Sequence, residues 1–202
     1  APGKQIVEVV SGVFPESIDD KMVPPADLKP SGNDIGTPPS ASDGPPVIDV
    51  LVAYTPDALT VAGSQSAMDS EIALSIVVTN TAYADSGVTG RVHLVGTTAL
   101  TENLDLSSQS LGWLRGTSDG HSDQIHALRD STGADLVSAL VEDSSACGRG
   151  YLLTGTDDAA TRSTLGFSVV NYSCTASNFS LAHEMGHNMG LDHDRYVSPN
   201  PT

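Results

Sequence analysis

Nine of the twelve prolines in this 202-residue chain fall within residues 1–46. Proline fixes φ and removes a backbone donor, so that stretch is poor material for a helix interior or a central strand. All three lysines lie there too, whereas all six arginines come from Arg91 onward. The run DLKPSGNDIGTPPSASDGPP reads as an extended linker. Ahead of it, QIVEVVSGVF suits one short strand. Residues 1–46 are therefore expected to be an appendage, either a pro-segment remnant or a Pro-rich linker. The folded domain is expected at 47–202.

From Val47 the pattern is globular. VIDVLVAY is a short β-branched run of the kind that forms a buried strand. In QSAMDSEIALSIVVTNTAYADS, Met68, Ile72, Ile76 and Tyr83 fall at helical spacing, which predicts a long helix ending at Gly87. RVHLVGTTAL predicts a second strand, SDQIHALRDSTG a helix stopped by Gly133, and ADLVSALVED a third strand. YLLTG and FSVVNY are shorter strand candidates, and residues 178–190 form the last predicted helix. This order gives an α/β domain with a mixed sheet. Aromatic residues make up 4% of the chain, so its core must be mostly aliphatic.

A formal charge of −16 argues against nucleic acid and anionic membrane as partners, because phosphate binding needs clustered Lys and Arg. No apolar run approaches the ~18–20 residues of a membrane span. The first residues, APGKQ, do not make a signal peptide, and the chain is expected to begin after processing. Cys147 and Cys174 are compatible with one disulfide or with two buried thiols. No G-x-S-x-G is present, which leaves a serine-hydrolase reading without support.

The chemistry is concentrated in SLAHEMGHNMGLDHD, Ser180 to Asp194. His183 and His187 are four apart, one above the other on a helix face. Glu184 is about 100° further round, placed to reach a metal-bound water rather than the metal. Gly190 can take φ > 0 and turn the chain back, bringing His193 in as a third ligand. Three neutral imidazoles with an open position are a catalytic zinc arrangement rather than a structural one. Met185 and Met189 point away from the ligands and read as core. His93, His121 and His126 are isolated, and His126, in a predicted helix, reads as packing or solvent-facing. The triplets at Asn171 and Asn178 fit the glycosylation pattern, but Asn178 reads rather as a helix N-cap.

The H-E-x-x-H-x-x-G-x-x-H spacing resembles the metzincin zinc endopeptidases. VIDVLVAYTPDA, NTAYADSGVTGRVHLVG and DQIHALRDSTGADLVSALV are similar to the bacterial peptidyl-Asp metalloendopeptidase or reprolysin-like family. The resemblance implies a secreted protease acting on protein or peptide substrates. It implies a twisted mixed sheet, a long backing helix and an active-site helix. Zinc would be held by His183, His187 and His193, with Glu184 as general base and Asp194 structural. A Cys147–Cys174 disulfide gains weight from the secreted reading. Cleavage before Asp is implied as well, with Arg195, Arg162 and Arg149 as unranked candidates for the pocket. Metzincins carry a methionine turn beneath the zinc, and here no Met follows His193. The chain is therefore expected to be truncated before that turn, with its C-terminal subdomain largely missing. A zinc-binding but non-catalytic domain, or an inactive fragment, is the second reading.

Overall fold

The computed structural model describes residues 45–153 and 159–193. The expected appendage lies outside them except for Pro45 and Pro46, which are exposed and irregular.

Five strands make one mixed sheet in the order β2-β1-β3-β5-β4. β1 (Val47–Tyr54), β2 (Arg91–Ala99), β3 (Leu136–Val141) and β5 (Phe167–Asn171) run parallel. β4 (Gly148–Gly150) closes one edge, antiparallel to β5. The three inner strands are buried on both faces, hence their mostly apolar runs, broken by Asp49, Ser138 and Ser168. Leu51, Ala53, Val137, Ala139, Phe167 and Val169 face one core, shared with α3 (Ser108–Arg115) and α4 (Gln124–Thr132). Val50, Val52, Leu140 and Val170 face the other, shared with α2 (Gln65–Asp85) and α6 (Ser180–Asn188). Both cores are largely aliphatic, as the composition requires.

The predicted long helix is α2, whose Met68 and Ile72 are fully buried. Its face also buries Ser75 and Thr79, whose hydroxyls donate to the Ile72 and Ser75 carbonyls within the helix. Asn80 donates to the Val92 carbonyl and accepts from the Val92 amide, both at 2.8 Å, pinning α2 to the outer strand. α1 (Pro56–Ala62) begins with Thr55 accepting from the Ala58 amide and Pro56 in the first turn. α5 (Ala159–Leu165) precedes β5.

Two strand expectations shift. YLLTG is not a strand over its described residues: only Tyr151 makes a bridge. The antiparallel partner of β5 is instead the preceding Gly-Arg-Gly. Asn178 is not the cap of the last helix. That position is Phe179, at φ 58°, and α6 starts at Ser180. The Asn178 amide donates toward the Cys147 sulfur at 3.5 Å.

Two carboxylates hold the loop before α3. Hydrogen bonds from Ser107 and Ser110 keep the Asp105 carboxyl below its usual range, against some desolvation. Burial pushes Asp143 up, but the amides of Leu106 and Ser145 outweigh it and the net shift is downward. A depressed folded pKa gives stability that is present above the unfolded pKa and lost as pH falls through the folded one. Melting temperature is thus expected to hold above about pH 5 and to decline below about pH 4. In Asp105→Asn/Asp143→Asn the decline should be shallower; thermal melts across pH 2.5–7, expressed relative to each protein's pH 7 value, read the difference, and parallel curves would refute it.

Candidate metal centre

α6 is nine residues long and ends in a Schellman turn. Gly190 takes φ 93°, its amide donates to the His187 carbonyl, and the Leu191 amide donates to the Gly186 carbonyl. A side chain at that φ would be strained. The turn sends the chain back along the helix, as the glycine predicted, and brings His193 beside His183 and His187.

The three imidazoles converge. His183 Nε2 lies 3.0 Å from His187 Nε2 and 3.2 Å from His193 Nε2. Three nitrogens sharing one tetrahedral ion at about 2.0–2.1 Å would be spaced by about 3.3 Å. The spacing therefore fits such an ion. His187 Nδ1 is 2.7 Å from the Leu191 carbonyl oxygen. A carbonyl only accepts, so the proton is on Nδ1 and the Nε2 lone pair faces the other two rings. Converging lone pairs repel one another unless a cation or proton lies between them. Among the described residues this is the group of His, Cys, Asp and Glu side chains whose geometry could hold a metal. The acidic DGHSD loop does not form a comparable group: Asp119 and Asp123 accept from backbone amides there.

The burial of the three is graded, with His183 exposed, His193 intermediate and His187 buried. One side of the centre is thus open to solvent and the other is packed. Glu184 is 1% exposed and lies against Gly148 and Gly150 of β4. Met185 is fully buried and Met189 partly packed in the core that α6 shares with α2, as expected of them.

The helix is fixed from behind. The Leu153 amide donates to the His187 carbonyl at 3.0 Å. Asn188 Nδ2 donates to the carbonyls of Tyr151, Leu165 and Phe167 at 2.9–3.1 Å. Asn188 was not singled out by the sequence; its place directly after His187 on a buried helix face was the available signal. Cys147 and Cys174 form a disulfide with Cα atoms 5.5 Å apart, joining the start of β4 to the segment leading into α6.

The other candidates are placed as follows. Asp194 and Arg195 lie outside the described residues. Arg149 is buried, with Nε donating to the Leu106 carbonyl and a terminal nitrogen to Ser108 Oγ, on the face of β4 away from α6. Arg162 is exposed on α5 and borders a hollow of about 770 Å³ with Arg129, Asn188 and Met189. His93 pairs with Asp49, His121 with Glu102, and His126 donates to the Gly116 carbonyl, and none of them belongs to the converging group.

A mixed sheet with this helix and three converging imidazoles defines a metallopeptidase fold. Residues 44–202 match the M12B reprolysin-like metallo-peptidase family, and the chain belongs to it. Similar proteins include two peptidyl-Asp metalloendopeptidases of Stenotrophomonas maltophilia. One is 33% identical over 90% of this chain and 44% of its own length. The other is 35% identical over 79% and 37%. A peptidyl-Asp metalloendopeptidase of Xanthomonas campestris is 30% identical over 88% and 41%. The chain spans less than half the length of these curated relatives. A solved chain from a chaperone–substrate complex superposes with a TM-score of 0.57 at 19% identity, over 76% of this chain and 27% of that one, a likeness of fold alone. Family membership implies a metal ion, and the histidine triad is a set that can hold one. No helix among the described residues is long and apolar enough to cross a membrane.

Proposed function

We propose that this chain carries the catalytic centre of a secreted zinc-dependent endopeptidase acting on proteins or peptides. The convergence of His183, His187 and His193, with His187 Nδ1 set against the Leu191 carbonyl, is the observation that supports it. Borderline-soft zinc suits three imidazoles and an open position. Held by His183, His187 and His193, a zinc ion would supply a Lewis acid for lowering the pKa of water and polarising a scissile carbonyl. Glu184 takes the proton of the attacking water and returns it to the leaving amine. The disulfide accords with an oxidising compartment and hence with secretion.

The similarity to proteins named peptidyl-Asp metalloendopeptidase supports a preference for Asp at the cleaved bond, and cleavage on its amino side is the form of that preference proposed for this chain. Arg149 is committed to the loop before α3 and is set aside as the pocket cation.

Zinc titration into metal-free protein should give one site, reduced at least about tenfold in affinity by His187→Ala. A chelator should abolish cleavage of casein, and zinc should restore it. Cleavage that persists without bound metal would remove the proposal. A mixture of peptides differing at the residue after the cut tests the Asp preference independently.

A further inference from the structure

Strand β4 is three residues long, and two of them are glycines facing α6. An ideal Cβ at Gly148 would lie 2.7 Å from both Cγ and Cδ of Glu184, far inside van der Waals contact. One at Gly150 would lie 2.9 Å from Glu184 Oε2 and 3.2 Å from the Glu184 carbonyl oxygen. Neither glycine is at positive φ, so backbone freedom does not account for them. Arg149 between them turns to the opposite face, toward Leu106 and Ser108.

The two walls of this notch have little room to part. β4 is paired with β5, and the disulfide and a 2.8 Å bond from the Asn171 amide to the Cys147 carbonyl hold its first end. α6 is held by the bond from the Leu153 amide and by Asn188. A methyl group placed in the notch would therefore have to displace the Glu184 side chain. Since Glu184 is buried, its carboxylate would have to swing relative to the three imidazoles.

We infer that Gly148 and Gly150 are positioning residues for Glu184: the notch in the edge strand seats its carboxylate beside the metal centre. This rests on Glu184 being the base. A displacement of about 1 Å in such a group can cost about a hundredfold in rate. Seating should affect turnover rather than substrate or metal binding.

The experiment is a double-mutant cycle in the full protein, read by melting temperature and by steady-state kinetics. Gly148→Ala should lower the melting temperature by roughly 3–10 °C when Glu184 is present. In the Glu184→Ala background the same change should be neutral or slightly stabilising, since alanine restricts the unfolded chain more than glycine does. With Glu184 present, kcat should fall about 10–100-fold, with KM within about twofold and zinc content unchanged. If Gly148→Ala does not fold, Gly150→Ala takes its place and is read by kcat alone, since its contact with the Glu184 carbonyl oxygen persists in both backgrounds. Equal melting losses in both backgrounds, or an unchanged kcat, would overturn the seat. Failure of the base reading shows separately, as undiminished turnover in Glu184→Gln with the steric coupling still present.

Discussion

Glu184→Gln is expected to lower peptide turnover by about 10²–10⁴-fold while the protein binds zinc as the wild type does. Glutamine has nearly the shape of glutamate, so it fits the notch formed by Gly148 and Gly150 without a new contact. It cannot take a proton from water. The three imidazoles are left as they are, with His187 still held through Nδ1 by the Leu191 carbonyl. The loss should therefore fall on kcat, and metal analysis should return the wild-type zinc content. Initial rates on a peptide substrate alongside metal analysis make the measurement. Turnover within about threefold of wild type would falsify the role of Glu184 as base. Wild-type zinc content in a wild-type chain without peptidase activity would instead favour the non-catalytic reading.

The second large effect is on stability. Replacing Cys147 and Cys174 together by serine should cost about 3–4 kcal/mol, from the loop-closure entropy of a bridge spanning 27 residues. For a domain of this size that is a fall in melting temperature of roughly 6–16 °C. The bridged segment contains β4, α5, β5 and the 3₁₀ turn Tyr172–Cys174, and the bridge anchors the stretch that leads on into α6. Its loosening should thus be felt at the metal centre as well as in the global transition. Denaturant unfolding of wild type and the double variant, with m values compared, gives the figure. A loss below about 1 kcal/mol would show that packing alone holds the edge strand.

The parts of the fold that were legible are those whose burial is written into composition. β1, β3 and β5 are mostly β-branched and aliphatic runs because the sheet is covered on both faces. α2 carries its buried residues at helical spacing and stops near Gly87, which is left-handed at φ 74°. α3 was missed because SQSLGWLR is serine-rich and interrupted by a glycine. It is helical because Ser107 caps it and Leu111 and Leu114 are drawn into the core. α1 was missed although Thr55-Pro56-Asp57 is a helix-start signal. β4 had no propensity to betray it: glycines read as loop, and only pairing to β5 makes them a strand. The candidate metal centre was legible because spacing on one helix and one glycine turn set most of its geometry. What surrounds Glu184 was not, because Gly148 and Gly150 are more than thirty residues away in the chain.

The turn at Gly190 joins metal affinity to the fraying of a helix end. Nine residues are fewer than the ~12–15 at which an isolated helix becomes marginally stable in water, so α6 depends on its neighbours. Two of the converging imidazoles are on the helix and the third is beyond the turn, so unwinding of the last turn separates the set. An ion bound to all three favours the closed turn by an amount that grows with its concentration, about 2.7 kcal/mol at a hundredfold excess over Kd. The amides of Gly190 and Leu191, which close the turn, would then exchange with solvent up to about a hundredfold more slowly. In that sense such an ion would act as the C-terminal cap of its own helix.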